Sequence, residues 1–102
     1  MDRAQALACY RLAAAQGLDV AQFELGFMYH RGLGVAENDA EALRWWQLAV
    51  AQGFPEALYF VAYCHEDGHG VAADAAEAIR WYRRAQAAGY PYAADALRRL
   101  RA

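Results

Sequence analysis

Apolar and polar positions follow one another with the period of about 3.6 residues that is typical of amphipathic helices. Ala42, Trp46 and Ala49 fall on one helical stripe. The same arrangement of alanines around one large aromatic recurs in segments 6–13 and 78–85. Alanines let neighbouring helices approach to ~8–10 Å while the ring fills the remaining gap. The pattern therefore predicts helices that pack closely against one another.

The chain also repeats itself every 36 residues. Gly17, Gly53 and Gly89 set this frame. A period of this length is typical of stacked helical hairpins. Alanine fills 26 positions, whereas Val and Ile together fill six, which favours helix over sheet. We predict an all-α fold, an αα-hairpin solenoid of about six helices in a single domain, 1–102, with repeat copies 21–56 and 57–92 and partial copies at both ends.

Start and stop signals divide each repeat into two helices. One type, here called the B helices, is expected over 3–16, 39–52 and 75–88, each ending at one of the three glycines. The other type, the A helices, is expected over 19–31, 55–67 and 91–101, and two of these begin at a proline. The B helices start at Asp2, Asn38 and Asp74, with Gln5, Glu41 and Glu77 three residues later. This spacing predicts a capping box at all three starts.

The net charge of −2 is too small to predict nucleic-acid binding. The charges are nevertheless segregated, because residues 80–102 carry six arginines against Asp95 alone. A solvated polar end is one interpretation, and a docking patch for an acidic partner is the other. The chain has no Ser or Thr, which excludes hydroxyl nucleophiles from those residues and the Walker-type phosphate loop.

Two cysteines, Cys9 and Cys64, are too few for a disulfide framework, so we expect free thiols, with Cys64 buried. No apolar run approaches the ~18 residues of a membrane span. Met1 is followed at once by a helix start rather than by the pattern of a signal peptide, so we expect a cytoplasmic location.

The repeat carries a specific motif. In the first half it comprises Ala21, Leu25, Gly26, Tyr29, Gly32, Gly34 and Val35. In the second half it comprises Asn38, Ala42, Trp45, Trp46, Ala49, Ala51 and Gly53. The next copy keeps most of these residues but has Val61, Ala62 and His65 in place of Leu, Gly and Tyr. With this motif over nearly its whole length, the chain resembles the Sel-one-like repeat family, a branch of the tetratricopeptide-like repeats.

The resemblance implies a right-handed αα superhelix that acts as a non-catalytic adaptor and binds a protein partner. By analogy with the family, the A helices line the concave face. The residues that this mapping places in a binding groove are Phe23, Phe27, His30, Arg31, Tyr59, Tyr63, Glu66, Asp67, Tyr92 and Arg99. Aromatic anchors flanked by charges suit such a groove. The alternative for Phe23 and Tyr59 is a place in the core, since stripes at helical spacing are commonly buried.

A second hypothesis is self-association. The chain opens on a B helix without its usual partner, so Leu7, Tyr10 and Ala14 are expected to be partly uncovered. Such a strip favours a homo-oligomer, or docking on another chain, through helix 3–16.

A third, less favoured hypothesis is an enzyme. His65 and His69 stand four residues apart, a spacing that can hold zinc on a helix, but Gly68 lies at a predicted helix end. Some cysteine-rich members of the family have been linked to β-lactam binding, yet they carry a cysteine pair in each repeat and this chain does not. We therefore expect neither a metal-dependent nor a β-lactam-directed hydrolase, and no catalytic residue, metal site or cofactor.

Overall fold

The computed structural model describes residues 2–101, and this part of the chain forms six α-helices and no strand. They are α1 (Arg3–Ala15), α2 (Asp19–Arg31), α3 (Asp39–Ala51), α4 (Pro55–Asp67), α5 (Ala75–Ala87) and α6 (Ala93–Arg101). The odd-numbered helices are the B helices and the even-numbered ones the A helices. Each packs against its neighbours in sequence, which gives a body of 43 × 24 × 19 Å. The predicted all-α repeat fold is confirmed. The predicted bounds hold to within one residue, except that α6 begins at Ala93, after a turn at Pro91 and Tyr92.

The B-helix caps form as predicted, but the full capping box does not form at all three starts. Asp2 and Gln5 exchange both bonds of the box. Asn38 and Asp74 accept only the backbone N–H three residues later. The prediction of a full capping box was wrong at these two starts, because Glu41 and Glu77 each accept a hydrogen bond from the arginine three residues later instead of bonding back to the cap residue. Glu41 accepts from Arg44 at 2.8 Å, and Glu77 is paired in the same way one repeat later.

Glycine is required where the loops after the A helices turn back onto the preceding B helix. Gly70 has φ +75°, and a Cβ there would lie 2.6 Å from the backbone oxygen of Asp39. Gly34 has φ +76° and would meet the oxygen of Arg3 at 2.7 Å. Each loop therefore lies directly on the first residue of the B helix before it in the chain.

Within each complete repeat copy, one large side chain of the B helix fills the contact with the A helix. Trp46 is fully buried, and its indole Nε1 donates to the backbone oxygen of Phe23 at 3.0 Å. Gly26 lies under this ring, and a Cβ on Gly26 would be 2.4 Å from Nε1. One repeat later the matching pair is Ala62 and Tyr82, both buried. Thus the smaller ring, Tyr82, packs on the larger A-helix residue, Ala62.

No helix in residues 2–101 combines the length and the apolar character needed to cross a membrane. Both cysteines are free, as expected. Burial raises the pKa of the Cys64 thiol to about 12, and the carboxylates of Asp39 and Asp67 add to this effect. Cys9, in contrast, is exposed on α1.

Candidate protein-binding surface

The structure sorts the predicted groove residues into three groups by exposure. One is buried, namely Phe23. Five are half-buried, namely Phe27, His30, Tyr59, Tyr63 and Glu66. Four are exposed, namely Arg31, Asp67, Tyr92 and Arg99.

Phe23 is a core residue, in agreement with the alternative that the sequence left open for it. Its exposed fraction is 6 %, and its ring packs against Phe27, Phe54 and Phe60 at centroid distances of 5.1–5.4 Å. The physical reason is that this stripe of α2 faces the next A helix rather than solvent. Apolar spacing alone does not distinguish the two environments.

Aromatic rings link α2, α4 and the turn before α6 into one surface. Phe27 on α2 contacts Phe60 on α4 at 4.8 Å, and Phe60 contacts Tyr59 at 5.4 Å. Tyr59 contacts Tyr90 at 5.1 Å, and Tyr90 contacts Tyr92 at 5.6 Å in the turn before α6. We call these five residues the aromatic band. All are at least partly exposed, and Tyr92 is 61 % exposed. Phe60 and Tyr90 were not predicted as site residues, although they stand beside Tyr59 and Pro91 in the sequence.

Glu66 and Arg99, both predicted as groove residues, pair with each other. Glu66 Oε1 also accepts from the Tyr82 hydroxyl at 2.7 Å, so this carboxylate joins α4, α5 and α6. The hydrogen bond from the Arg99 guanidinium, helped by the Tyr82 hydroxyl, lowers the pKa of Glu66 against the effect of its partial burial. Burial and the neighbouring carboxylate raise the pKa of Tyr82. This cluster fixes α6 on the repeat before it.

A second polar cluster lies at the end of the A helices. His30 Nδ1 is 2.8 Å from Asp39 Oδ1, and His69 Nδ1 is 3.1 Å from Asp39 Oδ2. Tyr63 packs against both imidazoles, with centroids at 5.7 and 4.9 Å. Partial burial by itself would raise the pKa of Asp39, but the hydrogen bonds and charge of the two histidines lower it.

The disfavoured pairing of His65 with His69 is not found in the structure, where the clustered ligand atoms come from His30, Asp39 and His69. His65 stacks on Trp81, with rings 6.2 Å apart and 11° from parallel, and takes no part in the cluster around Asp39. The signal that was available is the 36-residue register. This register places His69 at the position that Leu33 holds in the loop after α2. That loop lies on the first residue of the preceding B helix, so the loop with His69 is expected to lie on Asp39.

The apolar strip that was expected to be uncovered on α1 is only partly exposed in the structure. Leu7 and Ala14 are buried against α2, so the expectation that they are uncovered was wrong. Tyr10 is half-buried, as expected. Leu12 is 65 % exposed and is the largest apolar side chain that α1 presents to solvent.

Comparison with known proteins gives a consistent result. The Sel1 repeat family profile matches residues 2–18, 19–54 and 55–90. The matched units begin two residues before the copies inferred from the glycine spacing. A search of curated proteins finds no match.

Three solved structures share the fold. A Sel1 repeat protein from Oxalobacter formigenes is 38 % identical with a TM-score of 0.87, over 94 % of this chain and 39 % of that chain. The protective antigen c5321 of uropathogenic Escherichia coli, which displays an SLR fold, is 38 % identical with a TM-score of 0.87, over 90 % of this chain and 20 % of that chain. Cysteine rich protein B of Helicobacter pylori is 18 % identical with a TM-score of 0.86, over 95 % of this chain and 73 % of that chain, and shows the fold alone.

This chain therefore spans 39 % and 20 % of the two proteins that it matches at 38 % identity. The profile covers most of the sequence, in the repeat frame that the glycines and caps define. The protein belongs to the Sel1 repeat family.

Proposed function

We propose that the chain binds a protein partner through the face formed by its A helices, and that it does so without catalysis. Sel1 repeat proteins are generally protein-interaction modules, and the proposal extends this to a particular surface. The observation that carries it is the aromatic band, which runs from α2 across α4 to the exposed ring of Tyr92 in the turn before α6.

The physical basis is preorganisation. Each ring of the band is held by edge-to-face or tilted contact with the next, so little side-chain entropy is lost when a partner covers it. Tyrosine and arginine are the residues that most often dominate binding energy at interfaces. Exposed charges of both signs, Arg31 and Asp67, lie at the ends of α2 and α4. They favour orientation and partner choice more than affinity.

The test is site-specific photo-crosslinking in the native host, followed by binding measurements with the purified partner. A crosslinker at Tyr92 or Arg31 is expected to capture the partner. The same group at Leu12 or Leu48, which are exposed on B helices, serves as the matched control. Crosslinks confined to the B-helix positions would contradict the proposal.

A variant then measures the contribution of the face. Because Phe27 packs 5.7 Å from the Trp46 ring, changes there would disturb the fold. Tyr92→Ala combined with Arg31→Glu alters exposed side chains only. We expect at least a tenfold loss of affinity for the captured partner, with an unchanged melting temperature. An unchanged affinity would show that binding uses another face.

Self-association is the second candidate, because one observation favours it. Ala6, Tyr10 and Ala13 are half-exposed on α1, whereas Trp46, the repeat equivalent of Tyr10, is fully buried. A second copy seated on this strip would supply the missing contacts. Sedimentation velocity of the wild type and of Tyr10→Asp tests it, since a dimer should form only in the wild type. A wild-type monomer at high concentration would remove this candidate.

A further inference from the structure

Two imidazoles and one carboxylate from three different elements converge at the junction between successive repeats. His30 is the penultimate residue of α2, Asp39 is the first residue of α3, and His69 lies in the loop after α4. One ligand atom from each lies within 4.8 Å of those of the other two. All three side chains are partly shielded, with 18–27 % of their surface exposed. We propose that His30, Asp39 and His69 bind one divalent transition-metal ion of the Zn²⁺ type.

The donor set selects the class of ion. Two imidazole nitrogens and a carboxylate oxygen suit Zn²⁺, Co²⁺ or Ni²⁺ and disfavour Mg²⁺ and Ca²⁺, which take oxygen ligands. With bonds of ~2.0–2.2 Å, tetrahedral ligand atoms lie roughly 3.4 Å apart. His30 Nδ1 lies 2.8 Å from Asp39 Oδ1 and His69 Nδ1 lies 3.1 Å from Asp39 Oδ2, so each imidazole already lies within this edge length of one carboxylate oxygen. The ligand atoms of the three residues are at most 4.8 Å apart. Binding of an ion would bring the most distant pair closer by about 1–1.5 Å, a movement shared between the side chains.

An outer carboxylate strengthens the assignment. Metal-binding histidines usually donate their other ring N–H to a carboxylate or carbonyl group, which fixes the tautomer and orients the ring. His69 directs Nδ1 at Asp39, and its Nε2 lies 3.7 Å from Asp67 Oδ2. Once Nδ1 takes a metal, the ring proton resides on Nε2, facing this carboxylate. Asp67 is thus placed as the outer partner of His69.

The scaffold of the site is rigid. The His30 ring packs against Trp46 and Tyr63, with centroids at 5.8 and 5.7 Å. Gly70 lets the loop lie on the backbone of Asp39, which brings His69 over the start of α3. A bound ion would therefore join α2, α3 and the loop after α4 and hold two successive repeats together.

The repeat fold itself does not require these residues. At the equivalent positions the chain has Glu66 for His30, Ala75 for Asp39 and Leu33 for His69. The cluster is thus a property of this one junction. It departs from the expectation, drawn from the sequence, that the protein has no metal site. The proposal is independent of partner binding by the aromatic band.

The residues at the equivalent positions of the other repeats also indicate substitutions that are compatible with the fold, namely leucine at His69 and alanine at Asp39. We would titrate untagged, chelator-treated protein carrying Cys9→Ala with ZnCl₂ by calorimetry, and with CoCl₂ by visible absorption. We expect one ion per chain and a tetrahedral Co²⁺ spectrum. His69→Leu and Asp39→Ala should each weaken Zn²⁺ binding at least tenfold, and Asp67→Asn should weaken it less. The matched control is His65→Gln, which removes the histidine outside the cluster and should leave the affinity unchanged.

A thermal melt provides a second measurement, because an ion that binds only the folded chain stabilises it. At a free Zn²⁺ concentration of 100 times Kd, the melting temperature should rise by roughly 10–20 °C. The rise should be absent in His69→Leu and present in His65→Gln. Circular dichroism confirms that each variant is folded. The proposal is overturned if the wild type binds no Zn²⁺ at 100 µM, if the ligand variants bind as tightly as the wild type, or if His65→Gln abolishes binding.

Discussion

Replacing Gly26 with alanine is expected to destabilise the protein, although alanine is the better helix former. The added methyl would lie 2.4 Å from Nε1 and 2.6 Å from Cδ1 of Trp46, a fully buried ring. Overpacking of this kind costs about 1–3 kcal/mol. Displacing the indole N–H from the Phe23 oxygen costs about 1–3 kcal/mol more, since the donor is buried. The gain in helix propensity offsets about 1 kcal/mol. The net loss is therefore near 3 kcal/mol.

For a domain of this size, a loss near 3 kcal/mol corresponds to a fall in melting temperature of roughly 12–24 °C. Thermal unfolding followed by circular dichroism measures it. The matched control is Ala62→Gly at the equivalent position, which adds no clash and should lose about 2 kcal/mol through lower helix propensity and the small void left beside Tyr82.

The double variant Gly26→Ala, Trp46→Tyr recreates the pair that the chain already uses at Ala62 and Tyr82. A double-mutant cycle should give a favourable coupling energy of at least about 1 kcal/mol. If Gly26→Ala melts at or above the wild-type temperature, the steric argument is refuted.

Three further predictions concern single sites. Glu66→Gln should lower the melting temperature at neutral pH, and this effect should shrink as the pH is lowered through the folded pKa of Glu66. The neighbouring guanidinium holds the folded pKa of Glu66 below its usual 4.5, so its stabilisation is present above that pH and is lost as the pH falls through the folded value. Gly70→Ala should cost about 2–5 kcal/mol, since it combines a positive φ with a backbone clash. Gly53→Ala, with φ +79° and open space around it, should cost only about 1–2 kcal/mol, as urea unfolding would show. One thiol per folded chain should react with a disulfide reagent at pH 8. This is Cys9, because Cys64 has no exposed surface and its pKa is raised to about 12, and rapid reaction of both thiols in folded protein would contradict the assignment.

The helices were predictable because their signals are local. A cap such as Asn38, a proline such as Pro55 and a glycine such as Gly53 each act within one turn of a helix end. The capping box was less predictable, since Glu41 can bond back to the cap or forward to Arg44, and its position does not decide between them.

The environment of individual side chains was harder to predict, because it depends on how repeats stack. Phe23 and Tyr59 occupy equivalent positions, yet one is buried and the other half-buried, since different residues face them from the next repeat. The cluster at His30, Asp39 and His69 arises in the same way. Its members lie up to 39 positions apart and meet only after three elements have docked.

The unequal filling of the two contacts between an A helix and the B helix of its own repeat affects which helices can associate. An α3 carrying Trp46 can be seated against Gly26 but not against the methyl of Ala62, and Tyr82 placed on Gly26 would leave a void. Tandem units of similar sequence are prone to mispairing while the chain folds and to exchange of segments between molecules. Here size complementarity matches each A helix to the B helix of its own repeat, so the correct pairing within each hairpin is encoded in the shape of the side chains as well as in the connectivity of the chain.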